Sequence, residues 1–195
     1  MAIVLEDPPG ATPIDPDELA GLIPRGVTTV GELNAYEAEN ILDALRWLER
    51  QRRAQILNEG FVRALHKRMF GHTWRWAGTF RNTEKNIGVP PEAIAVRLRA
   101  LLLDCIAQLE DASMALDDIA ARFHHRLVWI HAFTNGNGRH ARLMADVLLQ
   151  QQGAAPFSWG AGELGAAGPV RQQYIEALQA ADKRNYAPLF LFVRA

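Results

Sequence analysis

Two runs of helical period meet a glycine-containing segment at residues 131–142, and this junction limits the possible folds more than any other feature of the chain. Before it, Leu116, Ile119, Phe123, Leu127 and Ile130 recur at helical spacing and trace the core face of one helix. Asp117 and Asp118 favour the start of that helix, because carboxylates offset the positive end of the helix dipole. After the junction, Leu143, Met144, Val147 and Leu148 trace a second helix, which opens near Gly138 and stops at Gly153, a residue suited to a left-handed terminal position. The pattern therefore predicts helix, short loop, helix, with polar groups crowded where backbone amides lack partners.

The remaining segments predict a mainly α fold. Thr29 and Glu32 form a capping box at a helix start, followed by an apolar stripe of Leu33, Ile41, Leu45 and Leu48. Further helices are expected over residues 58–70, along Ile94, Leu98, Leu101, Leu102 and Ile106 after the Pro90-Pro91 break, and along Tyr174, Ile175, Leu178 and Ala181. Gly78, Asn82, Thr83, Asn86 and Gly88 make residues 74–90 a β-hairpin or extended flap. Prolines at positions 8, 9, 13 and 16 make residues 1–27 an arm.

A length of 195 residues suits one core. The charges nearly cancel, 21 Lys and Arg against 22 Asp and Glu, so the totals require neither nucleic acid nor a membrane surface as partner. Cys105 is the only cysteine, which excludes an intrachain disulfide and any CxxC site. No cationic leader or bilayer-length apolar run is visible, and a soluble, cytoplasmic protein is expected.

The chemistry concentrates at the junction. Gly136 and Gly138 let backbone N–H groups turn toward a ligand, the following helix adds its positive end, and Arg139 and Arg142 present guanidinium donors on one helix face. His131, at the end of the preceding helix, is placed to take a hydroxyl proton near neutral pH. Two rival phosphate motifs fail: no GK[ST] follows the glycines, and Gly136, Gly138 and Ala141 fit GxGxxA without the strand that a dinucleotide fold requires. Elsewhere, His124 and His125 read as packed or solvated, His140 as a surface residue, Trp74 and Trp76 as flap anchors, Tyr174 as buried and Cys105 as inert.

The order His131-Ala132-Phe133-Thr134-Asn135-Gly136-Asn137-Gly138-Arg139-His140-Ala141-Arg142 resembles the Fic family signature HPFx(D/E)GNGRxxR, and Trp76-Ala77-Gly78-Thr79-Phe80-Arg81 resembles the start of that family's flap. Leu22-Ile23-Pro24, Glu32-Leu33-Asn34 and the run from Arg139 to Met144 are similar to the short Fic proteins named mobile mystery protein B. The resemblance implies a Fic fold over residues 28–195, a helical bundle around the signature with a small hairpin flap. It implies AMP transfer from ATP to a Ser, Thr or Tyr hydroxyl of a target protein, with His131 as base. Gly136, Asn137, Gly138, Arg139 and Arg142 would hold ATP, and Mg²⁺ would balance the phosphate charge.

Thr79, Phe80, Arg81, Ile87 and Gly88 of the flap would align the target by strand addition, and a helix-turn-helix antitoxin-like protein is an implied partner. Many relatives carry an inhibitory (S/T)xxxE(G/N) helix; within residues 28–57, Glu32 is the preferred counterpart and Glu39 the alternative. Two departures stand out: Ala132 replaces proline, and Asn135 replaces the acidic residue that approaches the metal, which weakens a hard-cation ligand. Transfer of UMP or, as in Doc proteins, of phosphate, and a silent ATP-binding regulatory module, are the competing readings.

Overall fold

The computed structural model describes residues 16–51, 54–162, 164 and 168–195. The helices are α1 (Pro16–Leu19), α2 (Val30–Leu48), α3 (Glu59–Phe70), α4 (Ile94–Asp111), α5 (Leu116–Ile130), α6 (Asn137–Gln151), α7 (Pro169–Asp182) and α8 (Ala187–Arg194). Most of the expected arm lies outside the described residues. Its final part does not stay apart: Ile23 N–H donates to Thr73 O at 2.9 Å, and Leu22 bridges Trp74.

Local chemistry sets the helix ends. Thr29 and Glu32 close the expected capping box on α2, and Asn58 caps α3 by accepting from Phe61 N–H at 2.9 Å. α5 ends where His131 turns left-handed at φ 53°. Gly153, at φ 77°, follows the end of α6. α5 packs on both α4 and α6, α2 packs on α3, and α7 packs on α8. Phe70, Phe123, Phe133, Met144 and Leu148 fill the centre and support the α5–α6 loop from below.

The inward face of α2 differs from the apolar stripe read in the sequence. Leu45 is exposed, and the buried positions are Leu33, Glu37, Asn40 and Ala44. Two polar residues belong to that face because each finds a partner there. Asn40 Oδ1 accepts from His72 N–H at 2.8 Å, and Glu37 Oε1 accepts from the Trp74 indole at 2.6 Å.

Residues 74–90 do not form a hairpin. Among the described residues there is no strand ladder, only the isolated bridges Leu22–Trp74 and Phe80–Phe133. The reason is Arg81, whose buried guanidinium donates to Thr83 O at 2.8 Å and to Val89 O, so the loop closes around a cation instead of pairing with itself.

His140 is 2% exposed, not a surface residue, and its Nε2–H donates to Val62 O at 3.0 Å. Burial holds the His66 imidazole well below its ordinary range and pushes His124 down to about 3 and His140 to about 4. In the unfolded chain each titrates near about 6.5. Between those values the unfolded state binds protons that the folded state refuses, so this stability is complete above about pH 6.5 and is lost as the pH falls toward the folded values. Each histidine contributes up to about 1.4 kcal/mol per pH unit in that window. The melting temperature should therefore fall by about 10 °C or more between pH 7.5 and 5 in a thermal scan, whereas an unchanged value would contradict these buried neutral rings.

Candidate active site

His131 takes the left-handed conformation, φ 53° and ψ 57°, which ends α5 and turns the chain into the loop. Its carbonyl accepts from Arg81 Nε at 2.6 Å. The residue is 4% exposed, and burial, helped by the Arg81 charge and then by Lys85, pushes its imidazole down to about 4. At neutral pH the ring is therefore uncharged and able to accept a proton.

The loop is held from inside. Asn137 Nδ2 donates to Phe133 O at 2.7 Å while its Oδ1 accepts from Phe133 N–H at 2.9 Å, so the side chain expected at the phosphates also braces the loop. An asparagine at the first position of α6 reaches back over one turn, which is why it closes the loop. Gly136 sits at φ 76°, and a Cβ there would lie 2.6 Å from the Phe70 ring, so only glycine fits. The first intrahelical bond of α6 is His140 N–H to Gly136 O at 2.9 Å, leaving the N–H groups of Asn137, Gly138 and Arg139 at the positive end of the helix.

Cations surround this amide-lined end. Arg139 lies over the Phe70 ring at 4.8 Å, and Arg142 lies against Tyr174, 5.5 Å from the ring centre. The Tyr174 hydroxyl is 3.0 Å from His124 Nε2, which fixes the ring beneath Arg142. Arg171 of α7 joins them: burial, then the Arg142 and Arg139 charges, lower its pKa. Gathered positive charge beside free-ended amides is suited to a phosphate chain.

One anion is already present. Arg139 Nη1 donates to Glu37 Oε2 at 2.5 Å, and Glu37 is 4% exposed. Glu32 and Glu39 do not take this place. The Glu32 carboxylate accepts from Thr28 N–H (2.8 Å), Thr28 Oγ1 (3.1 Å) and Thr29 N–H (3.1 Å), while Glu39 is exposed. On α2 neither shares the inward face of Leu33, Glu37, Asn40 and Ala44, which explains the difference.

Asn135 Oδ1 accepts from Gly136 N–H at 2.5 Å and lies 3.5 Å from Arg139 Nη2. Among the described residues no group of three or more His, Cys, Asp or Glu side chains could hold a metal ion.

The flap leans on this loop. Arg81 N–H donates to Ala132 O at 3.0 Å, Val89 N–H donates to Ile130 O at 3.3 Å, and a Cβ on Gly88 would lie 2.6 Å from His131 Cβ. Thr79, Ile87 and Gly88 are exposed along its outer edge, Phe80 is half-buried, and Arg81 is buried beneath.

Residues 56–149 match the profile of the Fic/DOC family. The chain carries a Fic/DOC family domain. A protein adenylyltransferase Fic from Nematostella vectensis is 31% identical over 134 residues, covering 66% of this chain and 30% of that relative. The chain thus spans less than a third of the length of this relative. In fold it is similar to the N-terminal FIC domain of Bep8 from Bartonella sp. 1-1C, with a TM-score of 0.69 at 15% identity over 87% of this chain and 88% of that one. It is also similar to the N-terminal Fic domain of a Bartonella quintana effector solved with bound ADP, with a TM-score of 0.67 at 18% identity over 87% of this chain and 86% of that one.

Within the Fic/DOC domain, the sequence placed His131, Gly136, Gly138, Arg139 and Arg142 around one loop, and the structure brings them together there. It also adds three residues that the sequence reading missed. Glu37 was hidden because a glutamate reads as solvent-facing, although Leu33, Glu37, Asn40 and Ala44 share one helical face. Arg171 stands three residues before Tyr174 on α7, a spacing that sets both toward the same side. His66 gave no motif signal. Its Nδ1 accepts from Gly78 N–H and its Nε2–H donates to Asn135 O, each at 3.0 Å, so it joins the flap to the loop. Among the described residues no helix is long and apolar enough to cross a membrane.

Proposed function

We propose that this Fic/DOC domain transfers AMP from ATP to a Ser, Thr or Tyr hydroxyl of a protein. The observation that carries this reading is an uncharged, buried His131 beside an amide-lined helix end and three arginines. Its ring nitrogen takes the hydroxyl proton as the oxygen attacks the α-phosphorus. The bond from that phosphorus to the bridging oxygen breaks, and pyrophosphate leaves. The α6 amides and Arg139, Arg142 and Arg171 bind the phosphate oxygens and stabilise the charge that grows on them. The name of the Nematostella relative and the ADP in the Bartonella quintana structure support a nucleotide here.

Mg²⁺, which would neutralise phosphate charge, fits this site only as a companion of the nucleotide, because the amide oxygen at the expected ligand position, Asn135 Oδ1, already accepts from Gly136 N–H. The exposed edge at Thr79, Ile87 and Gly88 is free to receive an extended acceptor segment by strand addition.

In the resting protein, Glu37 occupies Arg139 and opposes the triphosphate by like charge, so the domain restrains itself. This reading moves the inhibitory role from Glu32 and Glu39 to Glu37. A direct test incubates the protein and a cell lysate with labelled ATP or labelled UTP. Labelling from ATP that excess UTP does not suppress is expected, and labelling from UTP alone would overturn the assignment.

A further inference from the structure

The segment before α2 is stitched to the flap at several points. Arg75 N–H donates to Gly21 O at 2.9 Å, and the Trp76 indole donates to Glu18 O at 3.2 Å. A Cβ on Gly21 would lie 2.7 Å from the Trp76 ring, so backbone and indole are in direct contact. The Glu18 carboxylate then reaches across. Oε1 accepts from Thr83 Oγ1 at 3.2 Å, and Oε2 accepts from Lys85 Nζ at 2.5 Å.

The Glu18–Lys85 pair is unusual for its place. The Lys85 side chain is 3% exposed and that of Glu18 12%, although both belong to segments at the surface of the domain. A lysine on a loop ordinarily extends its ammonium into water, and burying it is unfavourable unless a carboxylate meets it. Here the lysine folds inward, close enough to His131 for its charge to act on that ring. The flap is thereby fixed on two sides. Arg81 and Gly88 hold it to the His131 loop, and Glu18 holds it to the segment before α2.

We propose that residues 18–23 are a strap and that Glu18 is a positioning residue, setting the flap, and with it the acceptor hydroxyl, over His131 through Thr83 and Lys85. The kinetic part rests on the transfer reading above; the structural part does not. Glu18 touches neither nucleotide nor acceptor in this scheme. It acts on the geometry of the segment that aligns the acceptor, and small errors of alignment at a reacting centre lower rates steeply.

The test compares the wild type with Glu18→Gln, with the double variant Glu18→Gln/Lys85→Met, which leaves no buried ammonium unpaired, and with the charge swap Glu18→Lys/Lys85→Glu. Hydrogen exchange at the Arg81 and Val89 amides is read first. Both are expected to exchange at least tenfold faster in Glu18→Gln and in the double variant, with α5 and α6 unchanged, and to slow again in the charge swap. Self-labelling with labelled ATP is read second, and its rate should fall at least fivefold in the same two variants while the KM for ATP stays within twofold. Wild-type exchange at both amides in the double variant would overturn the strap. If exchange rises while self-labelling keeps its wild-type rate, the positioning role is overturned and the transfer reading stands. If the wild type itself shows no transfer, the exchange data alone decide the strap and the function fails separately.

Discussion

His131→Asn should lower AMP transfer at least a hundredfold while the protein stays folded and continues to bind ATP. Loss of a positioned general base removes about 10²- to 10⁴-fold in rate. The substitution keeps the left-handed backbone at φ 53°, which asparagine tolerates, so the comparison isolates the imidazole. His131→Ala makes the same chemical point at the cost of local backbone strain. ATP affinity should survive in both, because the phosphates meet the α6 amides and the arginines instead of the ring. Transfer is read by labelled ATP on a gel, binding by calorimetry. Parallel loss of both would mean that the residue supports the loop and not the reaction.

Glu37→Gln should raise transfer about tenfold or more. The change removes the charge that pairs with Arg139 at 2.5 Å but keeps an amide oxygen for the Trp74 indole at 2.6 Å. A hydrogen bond between charged groups contributes about 1.5–3 kcal/mol, or roughly ten- to a hundredfold in the competition for Arg139. Glu37→Gly should release Arg139 too, and should also destabilise the fold by leaving the buried indole without its acceptor. Glu32→Gln is the natural control, since its carboxylate caps α2 and touches only Thr28 and Thr29. Initial rates of self-labelling check this. Equal rates for wild type and Glu37→Gln would remove the brake.

The helices around the site were legible because their apolar residues repeat with the helical period and their caps are local. The starts of α3 and α4 follow from Asn58 and from the Pro90-Pro91 break, with no tertiary information needed. The loop was legible for a similar reason: glycine spacing, a terminal histidine and two arginines are adjacent in sequence. What stayed hidden depends on contacts between distant segments. Glu37 acquires its meaning only when α2 crosses over Arg139, 102 residues away. Arg81 was expected to help align the target from the flap, yet its guanidinium turns inward and replaces the hairpin with a cation-centred loop. Glu18 lay in a proline-rich arm that gave no periodic signal, and its partners are 65 and 67 residues distant. His140 misled for the opposite reason: its polar ring suggested solvent, whereas the Val62 carbonyl satisfies it inside the core.

The proposed transfer depends on which phosphorus of ATP meets the acceptor oxygen next to His131. The decisive measurement incubates the Glu37→Gln protein with ATP labelled either at the α-phosphate or at the γ-phosphate and follows radioactivity into protein. Label from the α position with none from the γ position, lost in His131→Asn, is the expected result. Label from the γ position would show phosphate transfer and contradict the central claim.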